Sequence, residues 1–213
     1  MKKLYLQLLQ ISNSKILSII RTLISYNKKG SKQLSINDDL EIYKDQKEYF
    51  DKMIQSNYRD TILDFGCGTG RYLEIFKNFK FVYLVDISKE NLKTASIKAE
   101  KIGIKYKTIR SSIFSLDMQI DLFFSVGVFG QFYQFDSKVL KKIYSLLSDN
   151  GKAVFTVKIK EKLDNEVLAL SEEKLINLLI NYDHQIYKKN FKGHEGKEYL
   201  FNVIELTKKK NTD

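Results

Sequence analysis

From Leu63 to Gly70 the chain reads Leu-Asp-Phe-Gly-Cys-Gly-Thr-Gly, and twenty-two residues beyond Asp64, at the end of the next apolar run, stands Asp86. Glycines at 66, 68 and 70 permit positive φ and let a ligand approach the backbone. A helix beginning after such a loop offers unpaired amide donors. An acid ending the following strand can accept hydrogen bonds from both ribose hydroxyls of an adenosine-containing cofactor. A tight turn alone requires only the glycines. Here a strand precedes the loop, a helix is expected after it, one acid stands just ahead of Gly66 and another ends the next strand.

The spacing narrows the ligand. A nicotinamide fingerprint is G-x-G-x-x-G, and its loop amides hold a pyrophosphate. This loop is G-x-G-x-G with Asp64 beside it. A carboxylate there repels pyrophosphate and suits a ligand carrying a sulfonium and an ammonium. No G-K-[ST] follows for a nucleoside triphosphate either.

These residues need a frame. Ile16, Ile19, Ile20, Leu23 and Ile24 recur at helical spacing and stop at Asn27-Lys28-Lys29-Gly30. A second helix is expected from about Asn37 to Asn57, with Asn37-Asp38-Asp39 as its cap. From residue 61 strands and helices alternate. Strands are predicted at Thr61–Phe65, Phe81–Asp86, Ile104–Ile109, Asp121–Val126 and Lys152–Val157, with helices at Arg71–Asn78, Lys89–Ile102, Ser137–Leu147 and Ser171–Tyr182. The unbroken Phe81–Val85 run is that of a strand buried on both faces. His184–Phe191 and Glu198–Leu206, joined by Lys192–Lys197, read as a closing hairpin. Alternation of this kind predicts a doubly wound α/β fold whose sheet is mostly parallel.

The run Ile62–Gly70 resembles the first motif of class I S-adenosylmethionine-dependent methyltransferases, and Val85-Asp86 resembles the second. The likeness extends from about 60 to 206. It implies a seven-stranded sheet with an antiparallel last strand, residues 59–213 forming the donor-binding domain and 1–58 a helical extension over it. It implies S-adenosylmethionine as cofactor and S-adenosylhomocysteine as product; no His/Asp/Glu cluster in the sequence suggests a catalytic metal. Gly66, Cys67, Gly68 and Gly70 would form the methionine-side loop oriented by Asp64, and Asp86 and Ile87 would lie at the ribose. Where the family often has an acid for the adenine amine, this chain has Ser112, followed by Ile113, so adenine recognition would rest on Ile113 and backbone. Ser125 and Gly127, in Ser125-Val126-Gly127-Val128, resemble the segment under the donor methyl group.

Ligands of open α/β sheets bind outside the carboxyl ends of the strands. That rule places Gln131, Tyr133, the Lys158–Asn165 loop and the hairpin tip with His194 and Glu195 near the acceptor, and His184 at the opposite end. His194, Gln131 and Tyr133 are the candidates for a catalytic role. Tyr43 and Tyr49 are candidates to close over the donor. Amino-methylating DNA enzymes of this family carry a proline-containing motif after the fourth strand; this chain has no proline, and that class is excluded. Cys67 is the single cysteine, which excludes a disulfide framework and a Cys-rich zinc site.

Composition bounds the rest. With 213 residues, 43% hydrophobic, the chain can form one domain with a real core. The net charge of +10 comes from scattered lysines, which reads as compositional bias before it reads as a nucleic-acid surface. Met1-Lys2-Lys3 and the leucines after it begin like a signal peptide, but Gln7, Gln10, Asn13 and Lys15 interrupt the apolar run. The expectation is a cytoplasmic protein without a transmembrane segment, methylating oxygen or nitrogen of a small-molecule or saccharide-type acceptor. The alternatives are an RNA methyltransferase and a donor-binding but inactive partner protein.

Overall fold

The computed structural model describes Lys32 and residues 43–55, 60–159, 168–192 and 198–210. The elements are α1 (Lys44–Gln55), β1 (Thr61–Phe65), a 3₁₀ turn (Leu73–Phe76), β2 (Phe81–Asp86), α2 (Lys89–Lys101) and β3 (Tyr106–Arg110). A second 3₁₀ turn (Ile113–Ser115), β4 (Ile120–Phe129), α3 (Ser137–Leu146), β5 (Leu147–Val157), α4 (Glu172–Leu179), β6 (Asp183–Lys192) and β7 (Glu198–Thr207) follow. The seven strands form one sheet in the order β3-β2-β1-β4-β5-β7-β6. β7 is antiparallel to both its neighbours, so β6 runs parallel to the rest. This is the expected class I methyltransferase fold.

Side-chain alternation assigns each face of the sheet. Ile62, Leu84, Phe124, Val154 and Val203 face α1, the Leu73–Phe76 turn and α2. Leu63, Val85, Phe123, Phe155 and Ile204 face α3 and α4. Phe50 and Ile54 bring α1 into the first of these cores with no exposed surface. Each such side chain contributes about 1.5–3 kcal/mol on burial. The starts of α2, α3 and α4 are capped by side chains: Ser88 accepts from Asn91 N at 3.2 Å, Asp136 from Val139 N at 2.9 Å and Ser171 from Lys174 N at 3.3 Å. At the amino ends of the strands, Asp121 accepts from Thr61 N (3.0 Å), Thr61 Oγ1 (2.9 Å) and Ser148 Oγ (2.8 Å), tying β1, β4 and β5 together.

β5 begins at Leu147, five residues ahead of the expected Lys152, and two further elements differ from expectation. The stretch after Gly70 makes only the 3₁₀ turn, because Leu73 and Phe76 are drawn into the core while Tyr72, at φ −100° and ψ 3°, has left the helical region. β4 runs three residues past Val126, with a register shift between Ser125 and Phe129 opposite β5. The first expected helix and residues 37–42 lie outside the described residues.

Candidate functional site

The glycine loop leaves β1 at its carboxyl end. Gly66 N and Cys67 N both donate to Val85 O (2.7 and 3.1 Å), bending the chain toward β2. Gly66, Gly68 and Gly70 have φ of +71°, +55° and +85°, a region that favours glycine. A Cβ on Gly66 would lie 2.3 Å from Val128 Cγ2, and one on Gly70 would lie 2.4 Å from Leu73 Cδ1. Close packing as well as conformation therefore demands glycine at both. Asp64 sits beneath the loop and is 2% exposed.

Asp86 ends β2 beside this loop. Its Oδ2 accepts from Gly68 N at 3.0 Å and its Oδ1 from Ser88 N at 2.7 Å. Burial raises its pKa above the ordinary carboxylate value, while hydrogen bonds from the Ser88 and Gly68 backbone, the Asn91 side chain and the Ile87 backbone oppose that rise. The carboxylate thus braces the loop and still lies at the strand ends where a ribose would sit. Ile87 follows, half-buried, with its carbonyl accepting from Arg110 Nε at 3.1 Å.

The extra residues of β4 form the wall facing β1. Gly127 has φ +74°, and its N–H donates to Thr156 Oγ1 at 2.9 Å. The space its missing side chain leaves faces Gln131, whose Oε1 lies 3.7 Å from an ideal Cβ. Val128 O accepts from the amides of Gln131, Phe132 and Tyr133, a compact turn that seats the Val128 side chain over Gly66.

The expected residues divide accordingly. Gly66, Gly68, Gly70, Asp64, Asp86 and Gly127 converge at the carboxyl ends of β1, β2 and β4. Ser125 is fully buried and donates to Phe65 O at 2.8 Å, so it supports the loop from below and is not exposed to a ligand. Cys67 is 6% exposed with Sγ directed at Gly68 O, and the Ile113 side chain is wholly in the core, leaving its backbone for a ligand. Tyr133 packs edge-on against Phe65 and Phe129, and burial, with Asp136 adding to it, raises its pKa; it is a core residue and a poor base. His194, Glu195 and residues 160–167 lie outside the described residues. His184 Nδ1 is 2.9 Å from Tyr182 O, at the far end of β6.

Tyr43 lies against Arg71, whose Cζ is 4.0 Å from the ring centroid, next to the glycine loop. Tyr49 instead packs on Phe50 and Phe191, over the hairpin side of the sheet. Sequence reasoning missed Thr156 and Asn91, and named Val128 only within the segment Ser125-Val126-Gly127-Val128. Only Asn91 had a local signal, its spacing from the capping Ser88.

The chain's donor set fits a cationic adenosine ligand: two buried carboxylates, Asp64 and Asp86, flank a loop too crowded for side chains at Gly66 and Gly70. Among the described residues, no group of three or more His, Cys, Asp or Glu could hold a metal, and no helix is long and apolar enough to cross a membrane. The fold and this loop define a Rossmann-like methyltransferase scaffold. The methyltransferase domain family matches residues 54–207, and the chain belongs to that family of class I S-adenosylmethionine-dependent methyltransferases.

An uncharacterized protein of Methanocaldococcus jannaschii is 27% identical over 139 residues, 59% of this chain and 58% of that protein, so the chain spans little more than half of that relative. Magnesium protoporphyrin IX methyltransferase from Synechocystis PCC 6803, with bound S-adenosylhomocysteine, superposes with a TM-score of 0.73 at 12% identity, covering 90% of this chain and 99% of that one. The N-methyltransferase NodS from Bradyrhizobium japonicum WM9 superposes with a TM-score of 0.66 at 13% identity, covering 80% and 89%.

Proposed function

We propose that this chain transfers the methyl group of S-adenosylmethionine to oxygen or nitrogen of a small-molecule or saccharide-type acceptor. The observation that carries the donor half is the meeting, at one end of the sheet, of three left-handed glycines with the buried Asp86 carboxylate, 3.0 Å from Gly68 N. In this reading Gly66, Gly68 and Gly70 let the methionine end approach the backbone. Asp64 counters its positive charge, Asp86 accepts from the ribose hydroxyls, and the backbone at Ile87 and Ile113 borders the base. Residues 1–58 extend this domain, with α1 packed into its core.

The donor supplies an electrophilic methyl on a sulfonium. What remains for the protein is alignment and exclusion of water. Gly127 leaves room at the bulge of β4, and the Gln131 amide faces that room. An amide can orient an acceptor's N–H or O–H without removing its proton. The acceptor class draws support from the two solved folds named above, one a magnesium protoporphyrin IX methyltransferase and the other an N-methyltransferase.

The test is transfer of labelled methyl from S-adenosylmethionine into a host-cell extract separated into RNA, protein, and small-molecule or glycan fractions. Label in the last supports the proposal. Label in RNA replaces it with an RNA methyltransferase and gives the net charge of +10 a use. Donor binding without transfer favours an inactive partner.

A further inference from the structure

We infer that Ser112 and Ser115 form a recognition pair for the purine edge of the donor that accepts either an amine or an oxygen at the 6-position. The inference rests on the donor reading above. If Asp86 holds the ribose, the sulfonium arm runs toward β1 and β4, where the glycine loop and Gly127 stand. The base is left to the other side, over β3, whose Arg110 is paired in register with Asp86. The first residues beyond β3 are Ser111 to Ser115.

Within that stretch the groups have separate tasks. The Ile113 side chain is fully buried. Ser111 Oγ donates to Ser112 O at 3.0 Å, and Arg110 Nε donates to Ile87 O. Ser112 Oγ and Ser115 Oγ lie 3.3 Å apart at the surface, and either can be the donor. A hydroxyl carries one O–H and two lone pairs and rotates to suit its neighbour. The pair can therefore turn a lone pair outward to an amine, or, with the mutual bond reversed, an O–H outward to an oxygen. A carboxylate in the same place accepts only, and would reject an oxygen. Position 112 thus sets how strictly the donor's purine is read.

Calorimetry with two defined ligands tests this: S-adenosylhomocysteine, and its analogue in which a 6-methoxy group replaces the amine while the adjacent ring nitrogen keeps its lone pair. The wild-type chain should bind the two within about fivefold, since the hydroxyl pair serves both. Ser112→Asp should prefer S-adenosylhomocysteine by about tenfold or more, because its carboxylate gains a charge-assisted bond to the amine and faces a lone pair in the analogue. Rejection of the analogue by the wild type by about tenfold or more, or an unchanged ratio in a normally melting Ser112→Asp chain, overturns the inference. If Ser112→Asp loses both ligands, the wild-type ratio alone decides. If the wild type does not bind S-adenosylhomocysteine, the donor reading falls and this inference falls with it.

Discussion

Replacing Gly66 with alanine tests the seam between the glycine loop and the turn after β4. Two costs add. Alanine at φ +71° enters the left-handed region, which costs roughly 1–2 kcal/mol. Its Cβ would also meet Val128 Cγ2 at 2.3 Å. Val128 cannot simply withdraw, because its carbonyl is held by three amides of the following turn. Relieving that overlap should cost roughly 1–3 kcal/mol more. The sum, roughly 2–5 kcal/mol, corresponds to a fall in melting temperature of about 4–20 °C for a domain of this size. Val128→Ala alone should cost about 2 kcal/mol through lost burial. In the double variant the overlap disappears while the conformational cost remains. The pair should therefore be more stable than the sum of the single effects by roughly 1–3 kcal/mol. Urea unfolding of the four chains without ligand measures this. Strict additivity, within about 0.5 kcal/mol, would falsify the proposed steric contact.

Three further outcomes are expected. Asp86→Ala should weaken S-adenosylhomocysteine binding by about 100-fold, through loss of charge-assisted bonds to the ribose and of the brace on Gly68; unchanged calorimetric affinity would remove the site from this end of the sheet. Because the pKa of Asp86 is raised in the folded protein, chiefly by burial, its contribution to stability is fully present below its unfolded value and is lost as pH rises through the folded one. Ligand affinity runs the other way, since the ionised carboxylate accepts both hydroxyls: binding should weaken on acidification at a pH above the ordinary carboxylate range, and calorimetric affinity that falls only within that ordinary range would count against the assignment. Tyr133→Phe should leave the affinity for S-adenosylhomocysteine and the labelled-methyl rate within about twofold, whereas Tyr133→Ala should lose roughly 3–5 kcal/mol of stability, as expected for a buried ring packed edge-on against Phe65 and Phe129; a large rate loss in the phenylalanine variant, with normal binding, would restore the hydroxyl to the chemistry.

The glycine loop and the acid that ends β2 were legible because their determinants are local. Glycines at 66, 68 and 70 announce a left-handed turn, and an acid at the end of a buried apolar run is visible without knowing what packs on it. Alternation of strands and helices was legible for the same reason. What eluded the sequence depends on distant neighbours. Nothing in Arg71–Asn78 reveals that Tyr72 is drawn to Gln46 of α1 and that the expected helix contracts to one 3₁₀ turn. Nothing in Ser125 or Tyr133 says that one hydroxyl is spent on Phe65 O and the other ring belongs to the core. The extension of β4 past Val126 was hidden because Gly127 reads as a strand end. In the fold it is the point where the strand bulges against Thr156 and continues to Phe129.

The cross-tie made by Asp121 has a consequence for how such a chain can change over time. It anchors Thr61 and Ser148 at the amino ends of β1, β4 and β5, at the opposite edge of the sheet from every loop that would meet donor or acceptor. This tie between the strands and the loops of the proposed site thus stand at opposite rims of the same sheet. Mutations that retune the acceptor loops can accumulate without loosening the rim that keeps the strands in register. The scaffold can diverge in substrate while its foundations stay the same.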